Sequence, residues 1–236
     1  MNSMKDLIIA LVALAGCGGV HTVGGKTSAD VFSSGAQVQL ADTSCVGDKD
    51  AIYEAIALGA DVNHAGFGGT TPLMWAITCQ SERGISALLN KGANPNKYID
   101  GSVNPIVISS TYDNSNLLRI LLEGGGDANS IDKRDGRRAV DLAFLKGVED
   151  SDWTNFNQLI SKGARVDIED QMGSTSVEYF AKLNRFDVVN KMLINHNYRH
   201  NLKKLRAIAH SAIIDPESHL FKERISTLRI LHRIYQ

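Results

Sequence analysis

An all-α fold of stacked helical hairpins is what this 236-residue sequence predicts, on three observations. First, Gly59-Ala60-Asp61-Val62-Asn63, Gly92-Ala93-Asn94-Pro95-Asn96 and Gly125-Gly126-Asp127-Ala128-Asn129 recur every 33 residues, and Gly163-Ala164-Arg165-Val166-Asp167 follows after 38. Second, Thr71-Pro72-Leu73 and Asn104-Pro105-Ile106 keep the same period, with weaker forms at Arg138-Ala139-Val140 and Thr175-Ser176-Val177. Third, the aliphatic pairs Leu88-Leu89, Leu121-Leu122 and Leu159-Ile160 stand at one fixed distance before a glycine. Self-similarity at such a spacing belongs to repeat architectures, in which each unit buries its apolar side on the next.

Each marker has a mechanical reason. A Thr or Asn side chain ahead of proline caps a helix by accepting a backbone N–H, and proline, with φ preset and no donor to lose, starts the first turn. The glycine after each aliphatic pair supplies the left-handed residue that ends the second helix. The Asp or Asn closing the glycine marker fixes the outgoing turn through hydrogen bonds to nearby backbone. The spacing gives five units, 38–66, 67–99, 100–132, 133–170 and 171–199, the fourth longer because Lys146 to Trp153 extends the turn between its helices. Two further helices, Asn201–Ile214 and Glu217–Tyr235, follow across Asp215-Pro216 and form a terminal cap.

These residues resemble ankyrin repeats: Thr71-Pro72-Leu73-Met74-Trp75-Ala76 matches the family's Thr-Pro-Leu-His-x-Ala signature, with Met74 in place of histidine. The resemblance covers residues 38–198 and implies helix, tight turn, antiparallel helix and a projecting β-turn finger in each unit. It also implies a binding surface made of finger tips and first-helix faces. The matching positions are His64, Phe67, Tyr98, Asp100, Lys133, Arg134, Arg137, Glu169 and Met172. Phe67, Tyr98 and Met172 are the apolar anchors if they project; the competing expectation is that each folds back on the neighbouring finger. Trp75 lies on a helix between neighbours and is expected in the core. Trp153, beside Glu149, Asp150 and Asp152, has no periodic apolar context, which leaves a partner epitope and local packing as its two readings.

Lys and Arg (25) nearly balance Asp and Glu (26), so no overall basic field points to nucleic acid. The balance is uneven along the chain. Residues 199–236 hold eight Lys and Arg against three Asp and Glu, a local charge of plus five; residues 1–36 cancel, which leaves minus six for 37–198 out of the total of minus one.

Leu7 to Ala15 is strongly apolar, and nine residues span roughly 14 Å as a helix, about half the hydrocarbon thickness of a bilayer. The run reads as the apolar region of a signal peptide over 1–16, although Lys5 is offset by Asp6. Leu14-Ala15-Gly16-Cys17 resembles the lipobox of bacterial lipoproteins. That implies cleavage before Cys17, acylation of its sulfur and, with Gly18 rather than Asp next, sorting to the outer membrane facing the periplasm. Residues 17–36, rich in Gly, Ser, Thr and Val, are expected to be a lipidated flexible tether, followed by repeats over 37–199 and a helical cap over 200–236. Cys79 shifted back by one period lands beside Cys45, so the two approach each other at the ends of stacked helices. An oxidising compartment pairs such cysteines, but helix axes 8–10 Å apart against a Cα limit of about 7 Å leave two buried thiols as the alternative.

No nucleophile, base and orienter fall together and Gly-x-Ser-x-Gly is absent, so no catalytic residue, cofactor or small-molecule substrate is expected. Gly24-Gly25-Lys26-Thr27 lacks the first glycine of a phosphate loop, which would fall at Val20. His196 and His200 are four apart without a nameable third ligand, and Asp61, Asp127, Asp132 and Asp135 read as turn residues, so no metal is expected. The functional expectation is protein binding by a lipid-anchored periplasmic protein and, by analogy of architecture and address, an immunity protein neutralising a secreted toxin or lipase. The alternatives are an envelope scaffold or adaptor for native proteins and a cytosolic ankyrin adaptor.

Overall fold

The structure, a computed structural model, describes residues 22–23, 25–169, 173–195, 198 and 200–234. Cys17, Met172, His196 and the proposed signal peptide lie outside them. The chain forms two compact units, one ending at Ala164 and one beginning at Arg165. The fifth repeat therefore groups with the terminal helices rather than with the four repeats before it.

The first unit is already folded within the expected tether. β1 (Thr22–Val23) pairs antiparallel with β2 (Lys26–Thr27). α1 (Ser28–Val31) follows, capped reciprocally: the Thr27 hydroxyl accepts from the Asp30 N–H, and the Asp30 carboxylate accepts from the Thr27 N–H at 2.7 Å. Val31 and Phe32 are buried, and the Phe32 ring meets Trp75 edge-on at 6.1 Å. Residues 25–36 are thus part of the body, because one apolar pair has a distant indole to cover.

Four hairpins come next: α2 (Gly35–Val46) with α3 (Lys49–Ala57), α4 (Pro72–Thr78) with α5 (Glu82–Asn90), α6 (Pro105–Ser109) with α7 (Ser115–Glu123), and α8 (Ala139–Asp150) with α9 (Thr154–Ser161). First helices stack on first helices, α2 on α4 on α6 on α8, and second on second, α3 on α5 on α7 on α9. The seam is filled by fully buried Leu40, Ile52, Leu73, Ile77, Ile85, Leu88, Ile106, Leu121 and Phe144. Each such side chain contributes about 1.5–3 kcal/mol by leaving water. Helices pass closely where side chains vanish: a Cβ on Gly84 would fall 1.9 Å from the Ser44 carbonyl oxygen.

The helix ends follow the markers. Thr71 accepts from the Met74 N–H at 3.2 Å and Asn104 from the Val107 N–H at 3.0 Å. At Arg138 the polarity reverses: its N–H and Nε donate to the Asp141 carboxylate in the buried first turn of α8. Gly59, Gly92, Gly125 and Gly163 take φ values of 101°, 86°, 91° and 87°, the left-handed stop expected of them. The extra residues of the fourth unit are helical: they lengthen α8 to Asp150 instead of widening the turn.

An asparagine bridge recurs at the ends of the first three hairpins. The Asn63 side chain donates to the Gly92 carbonyl (2.9 Å) and accepts from the Asn94 N–H (2.8 Å). Asn96 does the same with Gly125 (3.0 Å) and Asp127 (2.7 Å), and Asn129 donates to Gly163 (3.4 Å). Asn104 adds a buried bond to the Ser130 hydroxyl at 2.8 Å. Asn104→Ala is expected to lower stability by about 1–2 kcal/mol, from loss of the cap and of that bond. Asn104→Asp, which keeps the cap, should restore part of it in the same urea titration.

Cys45, in the last turn of α2, and Cys79, closing α4, are joined by a disulfide with Cα atoms 5.3 Å apart. The helices' closing turns come nearer than typical axis spacing suggests.

The second unit holds α10 (Ser176–Lys182), α11 (Phe186–Asn195), α12 (Leu202–Ser211) and α13 (His219–Ile234). α10 pairs with α11, α12 stacks on α10 and α13 on α11. Thr175 caps α10, and buried Glu178 there meets Lys204 of α12 at 2.7 Å. The Thr175 hydroxyl lies 2.9 Å from the Tyr198 hydroxyl. Burial, with the nearby charges of Glu178, Asp167 and Glu169, pushes the Tyr198 phenol up to about 12 against the Thr175 hydrogen bond. Asn190 donates to Glu223 (2.8 Å) and accepts from Thr227 (2.6 Å), tying α11 to α13. α13 begins two residues later than expected. The Asp215 carboxylate accepts from the Glu217 N–H, and the Ser218 hydroxyl accepts from the Phe221 N–H, so 215–218 form the capping turn.

Candidate protein-binding surface

The described side chains that resemblance assigns to binding stand on the turns between hairpins, and in the first unit three of these turns interlock. In the first, Phe67–Gly69 is a short helical turn with Gly68 and Gly69 at φ 64° and 73°. Phe67 projects, 64% exposed, with the Lys26 ammonium 4.0 Å above its ring. His64 is half-buried, its ring 6.4 Å from Phe32. Gly69 lets the next finger come close: a Cβ there would stand 2.9 Å from the Asp100 nitrogen.

In the second finger an Ile99–Val103 bridge closes a tip formed by Asp100 and Gly101, both at positive φ. Asp100 is exposed and makes no ion pair among the described residues. Tyr98 does not project freely. Its hydroxyl donates to the Ile131 carbonyl at 3.1 Å, and the Lys133 ammonium lies 3.8 Å over its ring. The third finger, closed by an Ile131–Arg138 bridge, returns the contact by donating the Lys133 N–H to the Ser102 carbonyl at 2.8 Å.

Arg134 and Arg137 are held within their own finger. Arg134 donates to Asp132, whose carboxylate is buried, at 2.6 Å, and this bond raises the guanidinium above its ordinary value. Arg137 donates to Asp135 at 2.7 Å; burial raises that carboxyl, but the bonds from Arg137 bring it below the usual range. The outcome is a braced row with one projecting aromatic, ammonium groups on aromatic faces, and one free carboxylate.

Within the first unit Trp153 is not part of this row. Trp153 packs locally: its indole covers Gly147, where a Cβ would come within 2.8 Å, and meets Phe144 at 5.5 Å and Phe156 at 5.9 Å. Gly147 on α8 leaves the slot the indole fills, which removes Trp153 from the projecting tips. In the second unit exposed Glu169 faces exposed His200 at 3.1 Å. Lys26 and Lys97, whose ammonium donates to the Asn63 carbonyl at 2.6 Å, were not identifiable as brace residues from spacing, whereas Asp132, read as a turn residue, accepts from the Arg134 N–H at 2.9 Å. Among the described residues no group of His, Cys, Asp and Glu is placed to hold a metal ion, and no helix is long and apolar enough to cross a membrane.

Residues 68–99, which run from the tip of the first finger to that of the second, match the ankyrin repeat family model. The fold is the ankyrin-repeat fold. Over 90 residues the chain is 34% identical to "Putative ankyrin repeat protein YahD" of Escherichia coli (strain K12), covering 38% of this chain and 45% of that one. Over 188 residues it is 28% identical to "Protein PhlB" of Serratia liquefaciens, covering 77% of this chain and 79% of that one. The chain therefore spans less than half the length of YahD and about four fifths of PhlB. Ankyrin repeats are protein-interaction modules.

Proposed function

We propose that this ankyrin-repeat protein works outside the cytoplasm, anchored by a lipid on Cys17, and holds one partner protein on its finger row. The observation that carries the binding surface is Phe67, left 64% exposed on a tip whose neighbours are all braced. An ordered aromatic with one cation over its face loses little entropy on docking, which is the character of an interface anchor. The extracytoplasmic address is supported by the Cys45–Cys79 disulfide, since such bonds persist in oxidising compartments, and by the lipobox-like Leu14-Ala15-Gly16-Cys17. The role we infer is protective: the protein neutralises a toxin or lipase that reaches the periplasm.

A photo-crosslinking residue placed at Phe67 should trap one envelope or effector protein that the same probe at exposed Gln80, in the turn between α4 and α5 at the other end of the hairpin, does not. Phe67→Ala is expected to weaken that complex at least about tenfold, and Tyr98→Ala, which loosens two fingers at once, by a similar factor. Unchanged affinity in both would remove the finger row as the interface. Fatty-acid labelling should vanish in Cys17→Ser; labelling that persists refutes the anchor. Cells lacking the protein should become sensitive to the trapped effector, and unaltered sensitivity would leave a scaffold for native envelope proteins.

A further inference from the structure

The terminal hairpin of the second unit presents basic side chains that no structural role uses. On α13, Thr227 and Leu231 are buried against the unit, while Lys222, Arg229 and Arg233 are exposed. At about 100° per residue these three fall in an arc of roughly 40° on the side away from the buried pair, along a line about 16 Å long. On α12, Lys203 and Arg206 are likewise exposed, whereas Lys204 is engaged by Glu178. None of these five exposed cations has a carboxylate partner among the described residues. Of the acidic groups nearby, Glu223 is turned inward onto Asn190 and Asp215 caps its own turn, which leaves Glu217 at one end.

Apolar surface borders the cations. Arg224 lies 4.6 Å over the Phe221 ring and donates to the Ala212 carbonyl at 2.8 Å, which fixes the connection beside α13. Ile213, next to that carbonyl, is 95% exposed, and Phe221 and Ile225 are half-exposed between it and the basic line. A pocket for a protein carboxylate would hold its bases in fixed pairs. A straight row of unpaired, long-stemmed bases with an apolar border instead suits a flat anionic surface, into which stems and isoleucine enter while the charges stay at headgroup level.

We propose that the α12–α13 hairpin docks on the anionic phospholipid headgroups of a bilayer. The contact is separate from any lipid on Cys17, and the test leaves that group out. The chain from Gly18 onward, which keeps every described element, is sedimented with phosphatidylcholine vesicles containing phosphatidylglycerol and with phosphatidylcholine alone. Binding is expected only to the former and should fade as salt is raised. Lys222→Glu, Arg229→Glu and Arg233→Glu combined should weaken it at least about tenfold, and Ile213→Ser several-fold. Lys49→Glu, Arg83→Glu and Lys162→Glu, three exposed cations of the first unit, change net charge equally and should leave it intact. All altered residues are exposed, and unchanged circular dichroism melts confirm folding. Equal loss in both triple variants, no loss in the first, or indifference to phosphatidylglycerol overturns the proposal, as does binding of an acidic protein by this face without vesicle binding.

Discussion

Trp75→Ala is expected to remove about 3–5 kcal/mol of stability, a large part of the 5–15 kcal/mol typical of a folded domain. The indole is 1% exposed and lies in a cluster with Val31, Phe32, Ala41 and Cys45, so its loss opens a cavity between the amino-terminal segment and the first two hairpins. Its Nε1–H is buried without a hydrogen-bond partner. That detail separates volume from polarity: Trp75→Phe gives up ring volume but also an unsatisfied donor, and should lose markedly less than alanine. Urea unfolding at constant m value measures both. An alanine variant within about 1 kcal/mol of the parent would mean that Phe32 and the first hairpins do not share a core.

Reduction of the Cys45–Cys79 disulfide should have the second large effect. The bond closes a loop with a sequence separation of 34, for which chain entropy gives about 3–4 kcal/mol. Dithiothreitol is therefore expected to lower the urea midpoint of the parent protein, while Cys45→Ala/Cys79→Ala starts low and does not respond. A parent midpoint indifferent to reductant would mean that the sulfurs are not joined in solution. Cys45 belongs to the Trp75 cluster, so the two perturbations should not add: with the bond gone, Trp75→Ala has less packing left to remove.

What could be read from the residues was what acts locally. A threonine or asparagine before proline caps a helix from three residues away, and a glycine after two aliphatics stops one, whatever surrounds them; Thr71, Asn104, Gly92 and Gly125 kept these tasks. Contacts across long separations were not legible. Nothing around Phe32 indicates that an indole 43 residues later needs covering, so its segment read as a tether. For Trp153 the sequence left partner epitope and local packing both open, because the slot that decides for packing is made by Gly147 and Phe144 on the preceding helix. At the fingers, register gave positions but not orientations. Tyr98 and Lys133 are positioned by the next and previous finger respectively, and such braces leave no mark in either segment alone.

The asparagine bridges carry a further implication for how such a chain can lengthen. Each of the three rungs joins an asparagine of one module to the main chain of the next module's glycine marker and reaches no further, so a seam asks for nothing beyond the two copies that meet there. The Asn129 rung closes even though five extra residues separate Gly125 from Gly163, all absorbed in the lengthened α8. Copying a whole module would meet the same partners at both new junctions, whereas a stray residue inside a turn disturbs one seam and leaves the others matched.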